Sequence, residues 1–357
     1  MVRAAHALLL PIAVVAVGGL WSGRSVHEPS TPSWSPGKAA TYLDSRTRSW
    51  MSGGAMDHGT FCISCHTALP YALARPTMGS ALGESAAPEV ERQLLASITT
   101  RVRQWSQIQP YLGDKRGGPG TESVLNALIL ARADAHTGRL SETSAEALRI
   151  MWSQQSQSGA WPWINAGNEP WEAPDSEYWG ATLAAVATGT APEGYLGKPA
   201  IQAGLGRLKA YLKTGEAGNS LLNRLALLWA ASKVPGLIAP DRRAAIVADV
   251  LAKQQADGGW STASLIPGTW TRHDRTAQDG RSDGYGTGIV AFVLIRAGVG
   301  ADSSEIRKAR SWLARNQDHA TGAWPTVSPN AKRDGSTDVG KFMTDAATAY
   351  AVLALSG

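Results

Sequence analysis

A cluster of two cysteines and one histidine has the clearest chemical meaning in the sequence. Cys62 and Cys65 lie in the stretch FCISCH over residues 61–66, and His66 follows the second cysteine directly. Thiols three positions apart face one side of a helical turn, where they can add to the two vinyl groups of one porphyrin. The imidazole of His66 can then bind the iron as its proximal ligand. The spacing therefore predicts the covalent attachment of one haem c.

Other chemistry is open to the same side chains. The two cysteines could form a small disulfide or a dithiol redox pair, or they could bind a metal together with His66 and without a porphyrin. A structural zinc site usually has four protein ligands, and the sequence has no second Cys/His pair with matching spacing. The motif favours haem over these alternatives.

The amino terminus predicts export. Arg3 precedes an apolar run over residues 7–21, which is typical of a secretory signal, so we interpret residues 1–24 as a signal peptide. The cleavage site is not a clean A-x-A, and an uncleaved membrane anchor is the alternative. Either segment would carry the chain out of the cytoplasm, to a bacterial periplasm, where haem is attached to such motifs. Residues 25–37 are rich in Pro and Ser and predict a linker.

The composition indicates a repeated motif, and the charge distribution argues against one class of function. The 357 residues include fourteen tryptophans but three phenylalanines, a bias that indicates a repeated tryptophan-bearing motif. The net charge of +5 comes from basic residues that are interleaved with acidic ones. Because no basic run is long enough to follow a phosphate backbone, the sequence argues against nucleic-acid binding.

A repeated unit organises the rest of the chain. An amphipathic helix ends in Gln, a short loop follows, and Gly-x-Trp comes next, with the tryptophans at Trp161, Trp260 and Trp324. A second helix that is apolar on all sides follows each unit, as expected of a buried helix. These second helices are predicted at 175–188, 282–297 and 341–355. Three further pairs are predicted at 39–51 with 63–75, 89–106 with 121–135, and 201–212 with 221–232.

Six outer and six inner helices predict an all-α fold, an (α/α)6 toroid over residues 38–357. The repeated units resemble the QW motifs of squalene-hopene and oxidosqualene cyclases, and the sequence DGGW at 257–260 is similar to repeats in protein prenyltransferase β subunits. The resemblance implies that the Gln caps the next element and that the indole stacks beside it. It implies the fold more strongly than an activity.

The sequence can also be compared with the catalytic motifs of these two enzyme families. The D-x-D-D motif with which class II terpene cyclases protonate an alkene is absent. Asp283 matches the zinc-binding aspartate of prenyltransferases, but no zinc-binding cysteine follows it. Asp283, Tyr285 and Asp345 are the candidate catalytic residues on the inner helices, although acids at a helix start more often cap the helix. Asp345 lies deeper in its helix and is the stronger candidate for a cavity residue.

In a toroid, every outer-to-inner loop lies at the same end, so the loops 52–62, 162–174, 261–281 and 325–340 form one mouth around Cys62, Cys65 and His66. His273, in the longest of these loops, is the candidate distal ligand of the haem iron. His58 reaches the iron less easily, and Met78 lies about 18 Å further along if the helix continues. An open, five-coordinate iron fits the sequence equally well.

The leading hypothesis is an exported c-type haem protein that acts in electron transfer with a redox partner protein, or in haem-dependent redox chemistry. The alternative is an enzyme that acts on an isoprenoid or another hydrophobic small molecule in the toroid cavity, with Cys62 and Cys65 as a disulfide or metal site. A third hypothesis is a binding toroid without catalysis. Attachment to the membrane through the amino terminus is compatible with each of them.

Overall fold

The computed structural model describes Met1 and residues 33–53, 56–113, 117–173 and 175–357. The predicted signal peptide or anchor, and most of the predicted linker, lie outside the described residues. In the part that is described, no helix combines the length and the hydropathy that a membrane crossing requires.

The described residues form thirteen α-helices and one short β-hairpin. The helices are α1 Pro36–Ser52, α2 Ala68–Leu82, α3 Glu89–Arg103, α4 Trp105–Gly113, α5 Gly118–Thr137, α6 Glu142–Ser153, α7 Ser176–Thr190, α8 Gln202–Gly215, α9 Leu221–Ala231, α10 Pro240–Leu251, α11 Gly284–Arg296, α12 Ser304–Asn316 and α13 Asp338–Ser356. Strands β1 Met56–Asp57 and β2 Thr60–Phe61 pair antiparallel between α1 and α2. Single turns of 3₁₀ helix occur at Tyr195–Gly197, Pro199–Ile201, Glu216–Gly218 and Thr262–Ser264.

Twelve of the helices form the predicted two-layer ring. Helices α2, α5, α7, α9, α11 and α13 are the inner layer, in which each helix packs on the next and α13 packs on α2, so the layer is closed. Their small residues permit close packing: a Cβ on Gly288 of α11 would lie 2.7 Å from the backbone nitrogen of Ala351 on α13. The outer layer consists of α1, α3, α6, α8, α10 and α12. The predicted (α/α)6 toroid is thus confirmed.

Two local predictions are wrong. The first inner helix begins at Ala68 and not at Ile63, so the cysteines do not share a helical turn. A turn over residues 65–67 precedes the helix, and the hydroxyl of Ser64 holds it by accepting hydrogen bonds from the backbone N–H groups of Thr67 at 3.3 Å and Ala68 at 2.9 Å. The second outer helix is also interrupted: α3 ends at Arg103, and the additional helix α4 follows before α5.

The three repeated units have a structural role in the outer layer. The indole N–H groups of Trp161, Trp260 and Trp324 each donate to a carbonyl near the end of the preceding outer helix, at 2.6, 2.8 and 2.8 Å. The preceding glutamines donate to the next outer segment around the ring. Their acceptors are the carbonyls of Gly204 for Gln155, Glu305 for Gln254 and Ser35 for Gln317. The last of these bonds joins the final repeat to the start of α1 and so closes the outer layer.

The glycine in each unit permits this contact. Gly159 has a φ of +99°, and a Cβ on it would lie 2.3 Å from the carbonyl oxygen of Arg207 on the next outer helix. Gly258 and Gly322 also have positive φ and lie against the backbone of the following outer helix. Only glycine satisfies both the dihedral angle and the close approach.

We expect Gly159→Ala to lower the free energy of unfolding by about 2–4 kcal/mol, because it adds left-handed strain and a backbone clash. The matched control is Gly206→Ala on α8, where a Cβ would meet no atom within 4 Å. This control should raise the stability by roughly 0.5–1 kcal/mol, since alanine favours a helix. Urea unfolding of both variants makes the comparison, and similar effects of the two changes would contradict the assigned role of Gly159.

Candidate functional site

Cys62, Cys65 and His66 line one small cavity at the mouth of the ring. The cavity has a volume of about 80 Å³, and Leu112 and Ile164 form part of its opposite wall. Cys65 is buried and Cys62 is half-buried. No disulfide joins the two cysteines.

The thiol of Cys65 is poorly suited to dithiol redox chemistry. Burial, followed by the nearby charges of Glu172 and Cys62, raises the pKa of this thiol well above its ordinary value. A reactive cysteine needs a stabilised thiolate, which is found at partly exposed, electropositive sites. The surroundings of Cys65 therefore favour a neutral thiol in this structure.

Aromatic side chains hold the imidazole of His66 from several sides. Its ring stacks on Phe342 of α13, with centroids 3.6 Å apart and an angle of 17° between the planes. The indole of Trp50 on α1 meets the imidazole edge-on at 4.9 Å, and Trp171 lies at 6.1 Å. The Trp50 N–H also donates to the carbonyl of Cys62 at 2.8 Å. These contacts leave His66 only 8% exposed and fix the plane of its ring.

A hydroxyl and a carboxylate fix the tautomer of His66. The imidazole Nδ1 lies 2.8 Å from the hydroxyl oxygen of Thr67, and this hydroxyl donates to Asp345 at 2.7 Å. Because the Thr67 proton is used toward Asp345, the hydroxyl oxygen accepts a hydrogen bond from the Nδ1–H of His66. We therefore assign the lone pair to Nε2. Histidine ligands of metals typically donate their second N–H in this way.

Asp345 is the buried centre of this network. In addition to Thr67, it accepts hydrogen bonds from Tyr42 at 2.8 Å and from the Nε of Arg46 at 2.9 Å, both on α1. Burial raises the pKa of Asp345, while Arg46, Thr67 and Tyr42 lower it by stabilising the carboxylate. Burial and the Asp345 charge raise the pKa of Tyr42, which stays protonated as a donor. Arg46 also pairs with Asp338 at 2.5 Å.

The same environment keeps His66 neutral. Burial, and secondarily the charge of Arg46, lowers the pKa of His66 from 6.5 to about 3. Neutral imidazole is the form that binds a metal. His66 therefore has the protonation state and the free nitrogen that an axial ligand needs.

A second, larger cavity adjoins His66 on the side of α13. It has a volume of about 230 Å³ and is lined by both polar and aromatic groups, among them Glu169, Glu172, Trp171 and Phe342. Glu172 lines both this cavity and the small one beside the cysteines. Burial raises the pKa of Glu172, opposed by a hydrogen bond from the side chain of Asn168. This carboxyl is thus a titratable group beside the thiols that the sequence analysis did not single out.

The candidate catalytic residues lie in different environments. Asp283 caps α11, since it accepts hydrogen bonds from the backbone N–H of Gly286 at 2.8 Å and of Thr262 at 2.6 Å. Capping is thus the structural role of Asp283, and its catalytic role stays a prediction. Tyr285 is buried, and burial raises the pKa of its hydroxyl well above the ordinary value, with a smaller opposing effect of Trp171. Asp345 is the candidate that contacts the motif, through Thr67.

The structure does not bring the candidate distal ligands to His66. The side chain of His273 is 58% exposed, and its Nε2 lies 3.8 Å from Glu169 at the rim of the larger cavity. His58 is exposed with its ring 5.0 Å from that of Tyr111, and Met78 is buried within α2. A distal role for His273 stays a prediction. Met343, which lines the larger cavity together with His66, was not anticipated from the sequence.

The donor types at the mouth are those of a haem c, but the space beside them is too small for a porphyrin. The described residues contain no group of three or more His, Cys, Asp or Glu side chains that could hold a metal ion. Two thiols and one neutral imidazole on a single cavity are the donors that covalent haem requires. The cavity of about 80 Å³ is smaller than the roughly 300–1,000 Å³ of pockets for larger ligands. In a haem-bearing protein, the wall that contains Ile164 and Glu172 must therefore lie further from His66.

Comparisons with known proteins identify the fold alone. No family model matches the sequence, and no curated protein matches it. The chain is structurally similar to the GH76A α-1,6-mannanase from Salegentibacter sp. HEL1_6, with a TM-score of 0.52 and 12% identity over 90% of this chain and 99% of the mannanase. An inactive variant of that mannanase in complex with α-1,6-mannotriose gives a TM-score of 0.52 and 13% identity with the same coverage. The chain is therefore an α/α toroid, the architecture that the mannanase also has.

We expect Asp345→Asn to lower the free energy of unfolding by about 3 kcal/mol or more, because it leaves Arg46 without its buried partner. The matched control is Asp338→Asn, which removes the other partner of Arg46. The Asp338 side chain is 65% exposed, so its loss should cost at most about 1 kcal/mol. Urea unfolding at neutral pH separates the two cases. Equal losses would show that Asp345 is not the centre of the network.

Because the pKa of His66 is lowered in the folded state, we expect the free energy of unfolding of the haem-free protein to depend on pH. The unfolded state binds this proton near pH 6.5 and the folded state near pH 3, so stability should fall as the pH decreases from about 6.5 to 3. His66→Gln should reduce that slope by up to about 1.4 kcal/mol per pH unit. Unfolding measured at several pH values tests this. An unchanged slope in the variant would mean that His66 is not a buried neutral imidazole.

Proposed function

We propose that the chain is an exported c-type haem protein that acts in electron transfer or haem-dependent redox chemistry. The supporting observation is the convergence of both thiols and a neutral, oriented imidazole on one cavity. Cys62 and Cys65 would form the two thioethers, and Nε2 of His66 would bind the iron. Haem c would supply reversible one-electron exchange at this site.

The residues behind His66 would tune that exchange. Asp345 polarises the Thr67 hydroxyl, which accepts from Nδ1–H of His66, and these two hydrogen bonds would make Nε2 a stronger electron donor. A stronger donor favours the more oxidised state of the metal that it binds. Phe342 and Trp50 keep the ring in one plane and keep water from it.

The proposal places the chain outside the cytoplasm, with residues 1–24 as a signal peptide or a membrane anchor. A thioether-bound haem is made where c-type haem is attached, which agrees with the apolar run that follows Arg3. A redox partner protein would approach the mouth, because the outer-to-inner loops leave the motif nearest to solvent there.

The isoprenoid alternative has less support. The cavity beside His66 and the cavity at the opposite end of the ring hold about 230 and 210 Å³. Between them, aromatic side chains form a continuous column in which neighbouring ring centroids are 5.5–6.1 Å apart. The members of the column, in order, are Trp171, Tyr285, Tyr350, Phe292 and Trp229. A long isoprenoid chain would have to displace this buried column.

Glycoside hydrolysis is not proposed from the likeness to the mannanase. The inactive form of that enzyme has two adjacent aspartates replaced by asparagine or alanine. No two acidic residues are adjacent anywhere in this sequence. The fold alone does not carry an activity from one toroid to another.

The direct test is production of the full chain, with its own leader, in a host that has cytochrome c assembly machinery. We expect a haem stain that survives denaturation and a reduced-minus-oxidised spectrum of c type. Cys62→Ala combined with Cys65→Ala should abolish the stain, whereas Ile63→Val, which changes a position between the cysteines, should keep it. Exported wild-type protein without covalent haem would contradict the proposal, and turnover of polyprenyl substrates by that colourless protein would favour the alternative.

A further inference from the structure

A third cavity lies at the end of the ring opposite the motif. It has a volume of about 210 Å³ and lies toward the carboxyl-terminal ends of the inner helices. Every inner helix contributes a large apolar side chain to it. These residues are Leu73, Leu128, Val186, Trp229, Phe292 and Leu353. The wall is therefore a ring of hydrocarbon and aromatic surface around the axis of the toroid.

Three basic side chains converge on the same cavity. Arg132 comes from α5, Arg296 is the last residue of α11, and Lys233 lies two residues after α9. Within the described part of the chain, none of the three forms an ion pair or a side-chain hydrogen bond. The guanidinium of Arg296 lies over the ring of Phe292 at 5.5 Å, which orients it without neutralising it. Arg132 and Lys233 are partly buried and Arg296 is exposed. Three positive charges thus line the cavity, and no carboxylate of the described residues forms an ion pair with them.

These charges act on one another. Burial, followed by the charges of Arg296 and Arg132, lowers the pKa of Lys233. Burial and Arg296 also lower the pKa of Arg132, and Glu91 opposes this with a smaller effect. Partly buried like charges destabilise the folded chain unless an anion offsets them. An anion bound beside Arg132 and Lys233, the two partly buried cations, would offset this repulsion.

Helix ends alone do not account for the arrangement. A cation near the carboxyl terminus of a helix is favoured by the helix dipole, which explains Arg296 or Lys233 taken singly. The dipole does not explain why two cations on helices and one just after a helix line one cavity whose described lining includes no carboxylate. It also does not explain the ring of apolar residues beside them.

We propose that this cavity binds a small organic anion, a carboxylate or a phosphate monoester that carries a short apolar chain. Arg132, Lys233 and Arg296 would bind the anionic group, and the apolar ring would cover the chain. The volume is below the roughly 300–1,000 Å³ of drug-sized pockets, so the chain must be short. This inference is independent of the haem proposal, because no residue of the motif takes part in it.

Calorimetric titration of the full chain with octanoate tests the proposal. We expect octanoate to bind, acetate to bind at least tenfold more weakly because it lacks the apolar chain, and neutral hexyl glucoside not to bind. Lys233→Met and Arg296→Met should each weaken octanoate binding at least tenfold. The matched control Lys253→Met removes an exposed cation that does not line the cavity and should leave the affinity unchanged.

Thermal unfolding provides the second measurement. Without octanoate, Lys233→Met should raise Tm, because it relieves repulsion from Arg132 and Arg296; a purely structural lysine would lower Tm when replaced. Equal loss of affinity in Lys253→Met, or equal binding of hexyl glucoside and octanoate, would overturn the proposal. So would binding to vesicles of phosphatidylglycerol without binding of octanoate, since that result would indicate attraction to a membrane surface instead of a cavity site.

Discussion

A buried carboxylate at the seam of the ring is the interaction on which the rest of the structure depends. Asp345 lies on the last inner helix and is only 1% exposed. It binds Tyr42 and Arg46 on the first outer helix and Thr67 just before the first inner helix. One side chain therefore joins the last hairpin to the first and also orients His66. The same set of hydrogen bonds therefore closes the toroid and fixes the orientation and tautomer of the His66 imidazole.

The repeated units explain how short helices form a stable ring. Each indole is buried against its own outer helix, and each glutamine reaches the next outer segment, so neighbouring hairpins are joined by side chain to backbone hydrogen bonds. The closed inner layer buries the apolar helices on all sides. Its two ends differ in chemistry: loops with aromatic and acidic groups surround His66, whereas three cations surround the opposite cavity.

The sequence predicted the helical pairs and the ring because periodicity and the Gln-to-Trp spacing are local signals. It could not predict the start of α2 at Ala68, since the residues before it form a turn that side chain to backbone hydrogen bonds to Ser64 hold. Nor could it pair Asp345 with Thr67, because 278 positions separate them and only ring closure brings them together. Asp345 was identified as an unusual acid within a helix, but its role through Thr67 required the fold. The convergence of Arg132, Lys233 and Arg296 also depends on three separate helices.

The likeness to an α-1,6-mannanase identifies the architecture of the chain. The chemistry that we propose depends on a single loop of this chain. Cys62, Cys65 and His66 lie at the mouth of the ring, where a scaffold of packed helices presents its loops. The most direct measurement is the mass of the proteolytic peptide that contains residues 62–66, taken from exported protein matured with the haem-attachment machinery. The account predicts a peptide heavier by one haem, bound through both sulfurs. An unmodified peptide, or one whose cysteines are joined in a disulfide, would contradict it.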